Sequence, residues 1–321
     1  MQPAARHDSE RGRSAKRPVQ IPKSGWRDIL LRTKHEISDD HVGLIAASIA
    51  FYALLALFPA IAALVALGGL ALDPHQIEAQ IGSFSGMLPQ EAAAIIIDQA
   101  RKVAGNAGGG VTFAAIGGLL FTLYSASKAM KALIEGLNII YEEREQRGFL
   151  RLNLTALGLT LAMILVIVVA LIVITVVPLV LTALGLGSAV ETLLNLARWP
   201  MLFVVAMLAL AILYRYAPSR DRPRWKWVSW GAVSATLVWV AASIAFSLYV
   251  QNFGRYNETY GSLGAVIVML MWFWISAFVV LLGAEVNSEM EHQTARDTTQ
   301  GDPEPLGERG AHVADTVGKS P

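Results

Sequence analysis

Residues 111–143 read VTFAAIGGLLFTLYSASKAMKALIEGLNIIYEE. No charge interrupts Val111 to Ser127, and beyond that point helical periodicity continues while polarity rises. Tyr124, Lys128, Lys131, Glu135 and Asn138 stand at offsets of 4, 7, 11 and 14, which stacks them along one helix face, with Ser127 beside Lys128. Such a stripe on an apolar helix does not face lipid, because a charge at the bilayer centre costs about 2.5–3.5 kcal/mol on insertion scales. Two readings stay open. Lys128 and Lys131 snorkel to the headgroups with Glu135 in water just beyond, or the stripe lines a cavity between helices and meets an anionic group.

Working outward, the rest of the chain has the same character. Of its 321 residues, 54% are hydrophobic and 16% charged, with a mean hydropathy of +0.48, and the apolar residues fall in long runs. This is the composition of an all-α, polytopic membrane protein. Cysteine is absent, which excludes disulfides, thiolate-held clusters and thiol catalysis. The six histidines show no metal-ligand spacing, so no metal and no cofactor is expected. No G-x-x-x-x-G-K motif is present, so any transport would not run on the chain's own ATPase.

The apolar runs predict six spans, at about 42–72, 111–135, 152–177, 197–216, 228–250 and 261–284. Residues 1–23 read as a disordered basic tail and 291–321 as a disordered polar one. An amphipathic helix over 24–40, capped by Ser24, is expected to rest on the cytoplasmic leaflet. Pro59 is expected to kink span 1, and 73–110 to lie outside the cell. The charge-free stretch 152–190 is long for one crossing and short for two. Positive-inside bias decides for one: it leaves 22 of the 26 Lys and Arg inside, with both termini cytoplasmic. Pro178 then marks a break, followed by an interfacial or re-entrant piece to about 190.

Two further groups carry chemistry. Glu285 follows 23 uncharged residues beside Gly283 and Ala284, a small-residue setting in which a neighbouring helix approaches closely. It is expected to be engaged, and to be available to the surplus charge of the stripe. The loop YRYAPSRDRPRWKW (214–227) presents Arg220, Arg222, Arg224 and Lys226 between two spans. Lipid phosphate, not nucleic acid, is the expected partner. AASIAF occurs at both 46–51 and 241–246, six letters from a membrane-helix alphabet for which coincidence suffices.

Four segments resemble the YihY/BrkB family of bacterial inner-membrane proteins: AFYALLALFPA (50–60), LYSASKAMKALIEGLNIIYEERE (123–145), LYRYAPSRDRP (213–223) and YGSLGAVIVMLMWFWISAFVVLLGAEVNSE (260–289). Ala56 departs from a common serine, Tyr124 from tryptophan and Lys128 from arginine; the last keeps charge but loses bidentate geometry. The resemblance implies six helices in the cytoplasmic membrane and an association with virulence. An older ribonuclease BN label travels with the family. The residues argue against it, since no clustered carboxylates or histidines stand ready to hold metals for RNA hydrolysis. The expectation is a non-enzymatic transporter or flippase-like protein for an anionic or amphipathic solute, lipid included. The alternative is a membrane organiser that binds lipids or partner proteins. The sequence identifies neither the solute nor an oligomeric state.

Overall fold

The computed structural model describes residues 11–68, 113–184, 188–252 and 262–319. Side chains at 58–119, 175–195 and 252–263 also fall outside the description, and with them the Pro59 kink, the segment 73–110 and the joint after Asn252. The chain forms α1 (Lys23–Asp39), α2 (Val42–Gly68), α3 (Phe113–Ile140), α4 (Phe149–Leu184), α5 (Ser188–Tyr216), α6 (Trp225–Asn252), α7 (Ser262–His292) and the single turn α8 (His312–Asp315). Among the described residues there is no strand, only an isolated bridge between Pro223 and Thr299.

Four helical stretches are long and apolar enough to cross a membrane: Phe149–Ile174, Leu196–Tyr216, Trp225–Gln251 and Gly264–His292. Counting Lys23–Asp39 and Val42–Leu57 as one broken span makes five. The expected break at Pro178 is absent, because α4 continues through it to Leu184. A membrane helix tolerates proline where neighbouring groups re-satisfy the freed carbonyl. Pro200 likewise sits inside α5, which starts at Ser188, well before the expected 197. Ser24 does not cap α1. Pro22 holds the N-cap position, with no side-chain hydrogen bond.

The chain divides into two compact units. The first comprises residues 1–45, 133–238 and 278–321, the second 46–132 and 239–277. In the first unit, Ile29, Trp227 and Met290 are buried together with Ala15 and Ile21. Full burial of a side chain of that size is worth about 1.5–3 kcal/mol. Helices α6 and α7 come into backbone contact at Gly231 and Gly283. Asn287 stitches that crossing, its Oδ1 accepting from Gly231 N (2.8 Å) and its Nδ2 donating to Val228 O (3.2 Å). In the second unit, Trp239 Nε1 donates to Ser276 Oγ (3.0 Å) and packs edge-on to Trp272. Phe51, Leu120, Ile244 and Leu248 are exposed there, as lipid-facing side chains must be.

Neither tail is disordered where it is described. Ala15 and Ile21 are buried, and a 3-10 turn at Pro18–Gln20 leads into α1. Residues 293–319 run back over the first unit. Ala295 N donates to Arg13 O (2.8 Å), Gln300 N to Arg222 O (2.9 Å) and Gly318 N to His292 O (3.0 Å). Arg309 is 4% exposed and donates to the carbonyls of Glu304, Ala295 and Ala314. A composition poor in apolar residues reads as disorder because it buries little surface. Here buried guanidinium-to-carbonyl hydrogen bonds do the ordering instead, at about 1.5–3 kcal/mol apiece for a charged donor.

Candidate functional site

Helix α3 places the stripe as its spacing dictates, and burial changes along it. Tyr124 is 58% exposed and its ring lies under Lys128 Nζ, 4.8 Å from the centroid. Lys128 and Glu135 are exposed, while Ser127 and Lys131 are half-buried. Asn138 is buried and structural: Nδ2 donates to Glu145 Oε2 (3.0 Å), and Oδ1 accepts from Ser219 N (2.7 Å). Arg147 holds the same Glu145 through Nε and Nη2, both at 2.7 Å, which keeps that carboxyl well below the usual carboxylate range. Asn138 thus ties the end of α3 to the loop after α5.

The basic side chains of the loop after α5 are held largely by the chain itself. Arg220 has a side chain only 1% exposed, and Nη2 donates to both oxygens of Glu291 (2.8 and 2.7 Å). Its guanidinium stacks over Tyr141, 4.5 Å from the ring centroid. Arg224 donates to the carbonyls of Thr299 and Gly301, and Lys226 to that of Lys16. Arg222 alone of the four is exposed; its guanidinium lies over Tyr216. A cavity of about 640 Å³ opens beside this loop, lined by Arg147, Arg215, Arg220 and Arg222 but also by Glu143, Asp221 and Asp315. Opposite charges so mixed make no simple anion cradle.

Glu285 is buried near the end of α7. It is 1% exposed, and its Oε1 is buried without a hydrogen-bond partner among the described residues. Glu289, one turn on, pairs with Arg32 of α1 and lies 3.4 Å from His292 Nδ1. Arg32 also donates to Gln293 Oε1 (2.7 Å), and His292 Nε2 meets Thr316 Oγ1 (2.8 Å). So α1 is clamped to α7 through charge, and is not simply laid on a membrane surface. A second cavity, about 610 Å³, is lined here by Arg32, Glu36, Glu142, Glu289, His292 and the chain around Thr316–Lys319. Among the described residues, no three His, Asp or Glu converge as metal ligands.

Asp40, Glu289 and Glu291 were not singled out by sequence, and Arg32 was read only as one of the basic residues that suit α1 to an anionic leaflet. A signal existed in GAEVNSEMEH (283–292), where Glu285, Glu289 and His292 share one helix face and Asn287 and Glu291 another. No comparable signal marks Asp40, which reads as a solvated helix end.

An all-helical chain with four or five membrane-spanning stretches and a charge-clamped polar layer is an integral membrane protein. Residues 33–306 match the family described as Virulence factor BrkB, and the chain belongs to that family. It is 31% identical over 247 residues to the ribonuclease-like protein YfkH of Bacillus subtilis, covering 76% of this chain and 88% of that one. It is also 25% identical over 270 residues to a UPF0761 membrane protein of Paraburkholderia xenovorans, covering 79% of this chain and 57% of that longer relative. A UPF0761 membrane protein of Alteromonas mediterranea is 40% identical over 80 residues, a quarter of this chain. No solved structure matches.

Proposed function

We propose that the protein is a six-span, non-enzymatic transporter or flippase-like protein of the bacterial inner membrane, moving an anionic or amphipathic solute, lipid included. The observation that carries this reading is Lys128, an exposed cation with Tyr124 beside it on a helix whose preceding 17 residues are uncharged. An exposed charge there needs water or an anionic partner. The alternative, an organiser that grips lipid through its basic loop, is disfavoured because Arg220, Arg224 and Lys226 are already occupied by the chain itself.

The test is reconstitution of the purified chain in vesicles of mixed zwitterionic and anionic lipid, scored for movement of a fluorescent phospholipid and of small anions. Flux is expected, with Lys128→Gln lowering it about tenfold, the worth of one charge-assisted contact of about 1.4 kcal/mol. Lys131→Gln at matched amounts is expected to be mild. Absence of any flux, or equal and mild effects of both changes, overturns the reading.

The distribution of Lys and Arg supports cytoplasmic termini. Phosphatase and fluorescent-protein fusions are expected to report outside at residues 90, 190 and 255 and inside at 145, 220 and 300. An outside report at 220 would remove the single crossing of α4 and the six-span count with it.

A further inference from the structure

Charges of both signs line the cavity of about 640 Å³ and leave part of themselves unpaired. Arg215, near the end of α5, is 5% exposed. Its Nη1 donates to Pro223 O and its Nη2 to Gln300 Oε1, and its buried Nε meets no acceptor among the described residues. The guanidinium lies 5.6 Å from the ring centroid of Tyr216. Arg222 comes to 4.9 Å from the same centroid, and its exposed side chain makes no hydrogen bond or ion pair among the described residues. Carbonyl oxygens and aromatic faces stabilise a cation but do not neutralise it. Two positive charges beside one ring therefore lack a carboxylate partner.

The acids of the cavity are in the converse position. Glu143 Oε1 accepts from His312 N (2.7 Å), and Asp315 Oδ1 accepts from the backbone N–H groups of Gly307 (2.8 Å) and Arg309 (3.0 Å). Asp221 is exposed, with its carboxylate against Gly310. None of the three forms an ion pair among the described residues, because the other charged groups nearby serve each other. Arg147 pairs with Glu145 and Arg220 with Glu291, and His312 Nε2 lies 2.9 Å from Glu142. The fold thus leaves both signs open to one shared space. We propose that this cavity binds a zwitterion, a phosphate ester that carries an ammonium group. Its phosphate lies on Arg215 and Arg222, and its ammonium among Glu143, Asp221 and Asp315.

One guanidinium suffices to fork onto a carboxylate, whereas two of them suit a phosphate, with its larger charge and additional acceptor oxygen. Ser219 adds a donor: its Oγ accepts from Gln146 N (3.1 Å), which leaves the hydroxyl hydrogen for a ligand. The volume is in the range of small-molecule sites. Tyr216 closes a stretch apolar enough to cross the membrane, which sets the cavity at headgroup depth. The chemistry recognised is that of ethanolamine phosphate, either as a soluble molecule or as the headgroup of a phospholipid. The site uses side chains of the first unit alone and does not depend on the transport reading.

The test uses the full chain in nanodiscs of phosphatidylglycerol, a lipid without an ammonium group, and equilibrium dialysis of ethanolamine phosphate. Binding is expected to be at least about tenfold tighter than that of glycerol phosphate or of ethanolamine, each of which offers half the ligand. Arg222 and Asp221 are both exposed, so Arg222→Gln and Asp221→Asn are expected to melt with the wild type. Arg222→Gln should weaken ethanolamine phosphate about tenfold. Asp221→Asn should weaken it as well, yet tighten glycerol phosphate about threefold, because the repelling carboxylate is gone. Arg144→Gln, an exposed charge outside the cavity, should change nothing. Nanodiscs of phosphatidylethanolamine that displace the soluble ligand, or that raise the melting temperature of the wild type but not of Arg222→Gln, assign the site to the lipid headgroup. Dialysis binding that this lipid leaves untouched assigns it to the soluble ester. Neither dialysis binding nor a lipid-dependent melting shift overturns the site. Glycerol phosphate bound as tightly as ethanolamine phosphate, or equal losses in Arg222→Gln and Arg144→Gln, overturns the zwitterion. Displacement of ethanolamine phosphate by an equal concentration of serine overturns the phosphate.

Discussion

Gly231→Leu is expected to prevent the protein from accumulating in the membrane, and Gly283→Leu to do nearly as much. A Cβ at Gly231 would collide with the backbone oxygen of Gly283 and with the Asn287 amide, and one at Gly283 would meet the Tyr214 hydroxyl, Ala235 Cβ at 2.6 Å and Gly231 O at 2.8 Å. None of these is the free end of a flexible chain, so the two helices must separate. Separation breaks the Gly231–Asn287 and Asn287–Val228 hydrogen bonds and strains the one from Tyr214 to Val280 O, at 2.7 Å. Overpacking costs about 1–3 kcal/mol, and each buried polar group left unpaired adds about 1–3 more. With two such groups the sum, roughly 3–9 kcal/mol, is comparable to the whole stability of many domains. Membrane abundance and the melting temperature of the purified chain measure it. Gly158→Ala is the control. Its Cβ meets nothing within 4 Å, and no loss of abundance is expected. If Gly231→Leu behaves like Gly158→Ala, the close crossing is not what holds the first unit together.

That crossing shows what could be read from the chain and what could not. The apolar runs located the helical stretches because lipid demands them, and Gly283 with Ala284 signalled close approach beside Glu285. Helix ends were less legible. Pro178 and Pro200 lie inside helices, and proline's penalty there depends on whether a neighbouring group donates to the freed carbonyl, which is a tertiary fact. The depth of Glu285 was hard to read for a related reason. In sequence it follows an apolar run like any helix end, and only the fold of the first unit brings it to 1% exposure. The tails were misread most. Arg13, Arg224 and Arg309 look like solvated charges in sequence, but their donors bind carbonyls more than 70 residues away or across a folded turn. Backbone carbonyls carry no signature in composition, so no periodicity could reveal that contact.

The same blindness governs Arg220, where the second large effect is expected. Its side chain is 1% exposed, that of Glu291 is 0%, and both carboxylate oxygens accept from one guanidinium nitrogen. Glu291 Oε2 accepts from Thr298 Oγ1 as well, at 2.7 Å, so the pair joins the loop after α5 to the C-terminal segment. Removing one partner of a buried pair strands the other charge, at about 3–5 kcal/mol. Arg220→Ala and Glu291→Ala are each expected to destabilise the purified chain by that amount. Arg220→Lys should recover only part of it, since an ammonium does not stack flat on Tyr141. The combination of Arg220→Met with Glu291→Leu should be milder than either alanine change alone, because a packed apolar pair leaves no charge behind. A thermodynamic cycle across the two sites should therefore give a coupling of at least about 2 kcal/mol. A headgroup-binding Arg220 makes a different prediction. Arg220→Ala would then leave the melting temperature unchanged and weaken binding to anionic vesicles, and Glu291→Ala would do neither. Additive losses at the two positions, with vesicle binding reduced by the first alone, would return Arg220 to the membrane surface and leave the C-terminal segment to be held by Arg309 and Arg224.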